Sequence, residues 1–222
     1  MKRFLQRIED IFASGKTLEE IKSEYNYLEV IRQRNRLVLN SRNTNYSFGG
    51  LHKVFQQAFD KTELDVRNIR KVLILGFGAG SVASILRDEL KCKCEITGVE
   101  IDAEVIRLAK EYFGLEESGK MKIVIDDAEK WVAGCKEHFD LIAVDLFLDH
   151  KIPETFDSPE FLEKIKQLLN PDGSVYYNRL LFDYESKVRT ARFEKDFEKI
   201  FPVSNKITIR KPSRNVVFAG KV

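Results

Sequence analysis

The sequence predicts an α/β domain built on a mostly parallel sheet, and three observations support this fold class. Four apolar residues, 72–75, lead directly into glycines at positions 76, 78 and 80. A segment with helical spacing follows at residues 82–90. Further apolar strands then end in acidic residues. Strands that alternate with helices form parallel sheets, and such sheets bind ligands beyond the carboxyl ends of their strands.

Residues 1–60 predict a small helix-plus-β-hairpin extension, which precedes a main domain at residues 61–222. Apolar residues at helical spacing predict a helix over 4–12, and the capping-box pattern at 17–20 predicts a second short helix. Two apolar runs, 28–31 and 36–39, predict a hairpin. Residues 45–50 could form a mobile loop that closes Tyr46 or Phe48 over a substrate, but a simple connector fits them equally well.

The glycines Gly76, Gly78 and Gly80 predict a loop that closely approaches a bound cofactor. Glycine lets the backbone turn tightly, and the start of the next helix offers unpaired N–H donors. A nicotinamide dinucleotide is one candidate ligand. Its fingerprint requires glycine at position 81, where this chain has Ser81, and room for a pyrophosphate. We therefore rank a dinucleotide low.

Acidic residues at the ends of the next strands predict the rest of the cofactor site. Glu100 follows Gly80 by twenty residues and ends an apolar strand at 95–100. A carboxylate there can accept both hydroxyl hydrogens of a ribose, although a solvated acid is the alternative. Asp102 is expected to cap the next helix. The strand predicted at 121–125 leads into Asp126, Asp127 and Ala128, and a fourth strand predicted at 139–145 ends in Asp145.

These motifs resemble those of the class I S-adenosylmethionine-dependent methyltransferases, and within them the spermidine-synthase-like branch. The resemblance covers roughly residues 70–180. It implies a Rossmann-like sheet of seven strands, mostly parallel with an antiparallel last strand, which residues 203–209 and 215–219 would complete. It implies S-adenosylmethionine or its decarboxylated form as cofactor. By the same resemblance, Glu100 is the ribose acid and residues 126–128 are the adenine-contacting segment.

Aminopropyltransferases of this branch carry two acids as D-S-S-D after the fourth strand, which hold a polyamine. Here the same positions read Asp145-Leu-Phe-Leu148, so only the first acid is kept, and Asp149 follows one place later. Lys53 stands where the resemblance would place another acid. Because a buried ammonium without a partner is costly, these replacements argue against polyamine transfer.

The main hypothesis is therefore an S-adenosylmethionine-dependent methyltransferase of unknown acceptor. The sulfonium already activates the methyl group, so the protein mainly aligns the nucleophile and excludes water. Asp145 is the expected catalytic residue, as a contact for the cofactor amine or as a base. His52 and His150 are further candidate bases, although structural roles fit both better. A polyamine aminopropyltransferase and a non-catalytic nucleoside-binding relic of the fold remain alternatives.

Composition favours a soluble, cytoplasmic enzyme with a small-molecule acceptor. The 37 basic and 35 acidic residues nearly balance, which argues against nucleic acid or a membrane as partner. The basic cluster at 206–214 is interpreted as the solvent side of a hairpin, with a phosphate contact as the alternative. Three cysteines suit a reducing compartment, and they lack the second pair that a metal site needs. The resemblance is also compatible with a homodimer, because related enzymes often form dimers.

Overall fold

The computed structural model describes residues 15–33, 36–41, 45–47, 50–116, 120–148, 151–211 and 213–222. The helix expected over residues 4–12 lies outside these ranges. Within them the chain forms two sheets, one of four strands and one of seven.

The smaller sheet is antiparallel, and its strands lie side by side in chain order. They are β1 (Lys16–Lys22), β2 (Tyr27–Gln33), β3 (Arg36–Ser41) and β4 (Asn45–Ser47). The predicted hairpin is confirmed as β2 and β3, which pair in register from Leu28 opposite Ser41 to Gln33 opposite Arg36.

The short helix predicted after Thr17 is wrong, because these residues form β1. A bulge between Thr17 and Glu19 interrupts the pairing of β1 with β2. Leu18 and Ile21, although three residues apart, both pack against the apolar cluster that contains Leu28. Pairing with β2 also satisfies the backbone of β1. Tertiary packing therefore overrides the local capping signal.

The larger sheet has the strand order β10-β11-β9-β8-β5-β6-β7. Its strands are β5 (Lys71–Leu75), β6 (Glu95–Glu100), β7 (Met121–Ile125), β8 (Phe139–Val144), β9 (Leu169–Leu180), β10 (Val203–Ile209) and β11 (Asn215–Lys221). The five adjacent strands β9, β8, β5, β6 and β7 are all parallel to one another. Strand β11 is antiparallel to both of its neighbours, β9 and β10. The predicted mostly parallel, seven-stranded sheet with an antiparallel last strand is confirmed.

Helices cover both faces of the larger sheet. They are α1 (Gly50–Lys61), α2 (Ser81–Ser84), α3 (Ala103–Tyr112), α4 (Ala128–Gly134), α5 (Pro159–Gln167) and α6 (Tyr184–Ile200). The segment predicted as one helix over 82–90 is divided, because α2 continues as a turn of π-helix over Ile85–Glu89. A 3₁₀ turn, Glu154–Asp157, precedes α5. Among the described residues, none of the helices is both long and apolar enough to cross a membrane.

Alternate residues of each central strand enter opposite cores. In β5, Val72 and Ile74 pack in the core that also contains Phe55 of α1, whereas Leu73 and Leu75 pack in the core that contains residues of α5 and α6. This double burial explains why the strands read as continuous apolar runs. A third cluster joins the smaller sheet to α3. It therefore holds the smaller sheet beside the helix that follows β6.

Candidate functional site

The glycine loop lies between the carboxyl ends of β5, β6 and β8. Gly76, Gly78 and Gly80 all have positive φ angles, of 77°, 58° and 94°. The backbone N–H of Gly76 donates to the carbonyl of Val99 at 3.0 Å. A Cβ at Gly76 would lie only 2.2 Å from the backbone oxygen of Asp145. The loop therefore brings the residues after β6 and β8 to one place, and only glycine fits its first position.

Glu100 is buried at the end of β6, directly against this loop. Its side chain accepts two backbone hydrogen bonds, from Gly78 N at 2.9 Å and from Asp102 N at 3.1 Å. Burial raises the pKa of Glu100 to about 7, while the backbone hydrogen bonds act in the opposite direction. Each carboxylate oxygen keeps a second lone pair, which can accept a ligand hydroxyl.

Asp145 is the second buried carboxylate, and it follows β8 on the other side of the loop. Its backbone N–H donates to the carbonyl of Leu75 at 2.8 Å, and its Oδ1 accepts from Asn178 Nδ2 at 2.9 Å. Burial, together with the smaller effect of the negative charge of Glu100, raises the pKa of Asp145 to about 7, while the hydrogen bond from Asn178 acts in the opposite direction. Two interacting buried acids beside a glycine loop favour a ligand with hydroxyl groups and positive charge.

The segment 126–128 lies at the same edge of the sheet and begins α4. The backbone N–H of Asp126 donates to the carbonyl of Glu100 at 3.1 Å. Asp127 caps the helix, because its Oδ1 accepts from Lys130 N at 3.0 Å. Ala128 is buried. The adenine contact expected of this segment stays a prediction, with one oxygen of Asp127 engaged in the cap.

A turn from the smaller sheet contacts Asp102, whose backbone N–H is bonded to Glu100, and the sequence had not indicated this contact. Ser23 Oγ donates to Asp102 Oδ2 at 2.5 Å, so the turn between β1 and β2 is fixed to the start of α3. Partial burial and the charges of Glu24, Asp102 and Asp127 raise the pKa of Tyr25. These positions are far apart in sequence, so no local pattern could have revealed the contact.

Asn26, in this turn, is a further residue that the sequence analysis missed. It is 8% exposed, and its Nδ2 has no hydrogen-bond partner within the described part of the chain. A buried amide without a partner is uncommon and costly. An acceptor group on a bound ligand would satisfy it.

His52, proposed as a base, is bonded instead to the π-helical turn after the glycine loop. Its Nε2 lies 2.6 Å from Glu89 Oε1, and Gln56 donates to the other oxygen of Glu89 at 2.7 Å. This contact gives His52 a structural role. His138 is exposed. Among the described residues, no cluster of His, Cys, Asp and Glu could hold a metal ion.

The loop after β8 contains Leu148 and Asp149, the positions at or next to the second acid of the aminopropyltransferase motif. Leu148 is 40% exposed, and it exchanges backbone hydrogen bonds with Lys151 at 2.9 and 3.1 Å. Asp149 and His150, between them, lie outside the described residues, as do Phe48 and the side chain of Tyr46.

Comparisons with known proteins place this geometry among S-adenosylmethionine-type transferases. The spermine/spermidine synthase domain matches residues 58–214. A probable polyamine aminopropyl transferase of Bifidobacterium longum is 30% identical over 204 residues, covering 87% of this chain and 44% of the relative. The eEF1A lysine and N-terminal methyltransferase homolog of Drosophila melanogaster is 26% identical over 237 residues, covering 96% of this chain and 34% of the relative. The chain thus spans less than half the length of these relatives.

Among solved structures, human methyltransferase-like protein 13 in complex with SAH superimposes with a TM-score of 0.65. The two chains are 24% identical, and the match covers 78% of this chain and 82% of the human one. At this identity the likeness concerns the fold.

Proposed function

The chain belongs to the spermine/spermidine synthase domain family, and from this premise we propose that it is an S-adenosylmethionine-dependent methyltransferase with a small-molecule acceptor. The observation that carries the proposal is the pair of buried carboxylates, Glu100 and Asp145, on either side of the glycine loop. Glu100 can accept hydrogen bonds from the hydroxyl groups of a ribose. The negative charges of Glu100 and Asp145 together favour a ligand that carries a cationic sulfonium and an amine.

The residues around the loop fit such a cofactor. Glu100 would accept the ribose hydroxyls, because it is already held in place by two backbone N–H groups. Asp127 and Ala128 would border the adenine. Asp145 would contact the cofactor amine or take the proton of the acceptor. When bound, S-adenosylmethionine supplies the activated methyl group, and the protein has to orient the acceptor and exclude water.

Methyl transfer is preferred to aminopropyl transfer because of the residues after Asp145. Leu146 and Phe147 pack partly into the apolar core, and Leu148 faces outward. Lys53 is exposed and carries a positive charge. None of these side chains carries the negative charge that would pair with an ammonium group. The second candidate, a polyamine aminopropyltransferase that uses decarboxylated S-adenosylmethionine, is supported by the Bifidobacterium relative and by the retained Asp145.

Calorimetric titration of the whole chain with S-adenosylmethionine, and then with its decarboxylated form, tests the proposal. We expect the carboxylated ligand to bind at least about tenfold more tightly. Tighter binding of the decarboxylated ligand would favour the aminopropyltransferase, and binding of neither would favour a relic of the fold. Glu100→Ala should weaken binding at least about 100-fold, because two charge-assisted hydrogen bonds are lost. Glu95→Ala, at the exposed start of the same strand, is the matched control.

The division near residue 60 and a homodimer are retained as proposals. Helix α1 ends at Lys61 and packs on the larger sheet through Phe55 and Phe59. A fragment that begins at residue 61 should therefore be less stable than one that begins at residue 50.

The basic cluster near the C-terminus is partly neutralised, since Lys206 Nζ lies 2.5 Å from Glu194 Oε2. This pairing supports a small-molecule acceptor over a nucleic acid.

A further inference from the structure

A chain of polar side chains connects Asp145 to the last strand of the larger sheet. Asn178 Nδ2, on β9, donates to Asp145 Oδ1 at 2.9 Å. Asn215 Nδ2, on β11, donates to Asn178 Oδ1 at 2.9 Å. Ser213 Oγ donates to Asn215 Oδ1 at 2.5 Å. Every donor in this chain points toward Asp145, so the three bonds have one direction.

The chain is buried among apolar residues. Asn178 is 0% exposed and Asn215 is 3% exposed. Asn178 pairs with Val217 across the two strands, and Asn215 lies two residues before Val217, so both amides project from the same face of the sheet. The same face carries Val217, Ala219 and the ring of Tyr176, which pack in the core that contains Phe55. Aliphatic residues could fill this space without the desolvation cost of two amides, which points to a role beyond packing.

The direction of the chain is linked to the charge of Asp145. An ionised carboxylate can only accept, so Asn178 must present its NH₂ group to it. The carbonyl of Asn178 then needs a donor, which Asn215 supplies, and Asn215 in turn accepts from Ser213. A protonated Asp145 could donate, and both amides could then reverse. The observed arrangement is the one that an ionised Asp145 requires, whereas a protonated Asp145 permits both directions.

We propose that Asn178 and Asn215 are positioning residues, which orient the ionised carboxylate of Asp145 so that Oδ1 is held by the protein and Oδ2 is directed to the ligand. Asp145 Oδ2 has no hydrogen-bond partner among the residues that the structure describes. The inference rests on the proposed function of Asp145 at the reacting end of the cofactor. Beyond that function, it names Asn178 and Asn215 as the residues that orient the Asp145 carboxylate and favour its charged form.

The surroundings of Asp145 set the expected effect. Burial raises the pKa of Asp145, the hydrogen bond from Asn178 lowers it, and the charge of Glu100 on β6 raises it. Among the described residues, Glu100 is the ionisable group whose charge acts on Asp145, and the hydrogen-bonded Asn178, Asn215 and Ser213 do not titrate. Loss of a hydrogen bond to a charged group changes an ionisation equilibrium by about 10- to 100-fold, so loss of the Asn178 bond should raise the pKa of Asp145 by about one to two.

The decisive experiment follows the Asp145 carboxyl carbon by NMR in ligand-free protein labelled with ¹³C-aspartate, from pH 5 to 9. We expect Asn178→Leu to raise the midpoint by about one to two pH units, and Asn215→Leu to raise it by less. Tyr177→Phe is the matched control. It loses one buried hydrogen bond, to the carbonyl of Phe156, but on the opposite face of the same strand, and should leave the midpoint unchanged.

Binding of S-adenosylmethionine to the same variants completes the test. Asn178→Leu should weaken it about tenfold near pH 7.5 and move the acid limb of the affinity profile upward by the same interval. An unchanged midpoint in folded Asn178→Leu, or a raised midpoint with unchanged affinity, would overturn the inference. If Asn178→Leu does not fold, Asn178→Ser serves in its place. Wild-type protein that binds no S-adenosylmethionine would refute the proposed function, whereas a shifted midpoint in ligand-free protein would still identify the positioning chain.

Discussion

Replacing Glu100 by glutamine tests how much the buried, ionised carboxylate lowers the free energy of unfolding. Glutamine has nearly the same shape and stays neutral at every pH. Burial raises the pKa of Glu100 from its ordinary value of 4.5 to about 7. Between these values the folded protein holds a proton that the unfolded chain has lost. The stabilisation is therefore complete below pH 4.5 and is lost as the pH rises through about 7.

The size of the effect follows from the shift itself. A rise from 4.5 to about 7 corresponds to about 3 kcal/mol of unfolding free energy. For a chain of this length, that change is equivalent to roughly 6–12 °C in Tm. In Glu100→Gln this part of the pH dependence disappears. The pKa of Asp145 falls as well, because it loses a negative neighbour, so the variant should depend on pH even less.

Urea unfolding of the ligand-free protein at pH 5, 6, 7 and 8 provides the assay. From pH 5 to pH 8 the stability of Glu100→Gln relative to wild type should rise by about 3 kcal/mol. This rise starts from a pH-independent loss, because the glutamine NH₂ must face one of the two backbone N–H donors from which Glu100 accepts. The affinity of the variant for S-adenosylmethionine should fall. Glu95→Gln, on the exposed end of β6, should follow the wild-type curve. If Glu100→Gln retains the full pH dependence of wild type, then Glu100 does not carry the cost assigned to it.

Two further substitutions test the loop and the adenine segment. In Gly98→Ala the new Cβ would lie 2.2 Å from the ring of Phe77, so we expect at least about 2 kcal/mol of destabilisation in urea unfolding and weaker S-adenosylmethionine binding. Adding Phe77→Leu should recover part of the stability, and full stability of the single variant would contradict the packing described. In Asp127→Ser the helix cap is kept, so stability should change by less than about 1 kcal/mol, while calorimetry should show about tenfold weaker S-adenosylmethionine binding. Unchanged affinity would remove Asp127 from the site.

The central sheet could be predicted because its signals are local. Strands such as β5 are buried on both faces and therefore read as unbroken apolar runs. Each run ends in glycine or an acid, and in a parallel sheet these ends share one edge. The proximity of Glu100 and Asp145 to the glycine loop followed from that rule alone.

The smaller sheet and its contact with the site could not be predicted in the same way. At residues 17–20 the capping-box pattern is genuine, but pairing with β2 and burial of Leu18 and Ile21 outweigh it. The bond from Ser23 to Asp102 joins residues 79 positions apart. Asn178 and Asn215 appear in the sequence only as polar residues within apolar strands. Their pairing depends on the register between β9 and β11, which residue patterns do not specify.

Hydrogen bonds from the glycine loop and from Asn178 counteract the effects of burial on the two acids, Glu100 and Asp145. Alone, Glu100 and Asp145 repel each other, and burial favours their neutral forms. The backbone of the glycine loop and Asn178 act in the opposite direction by donating to the charged forms. A cationic ligand would act in the same direction, so its binding should be accompanied by proton release near neutral pH. The loop and the asparagine chain thus oppose the protonation that burial favours, and the binding of a cationic ligand should complete the ionisation of both acids.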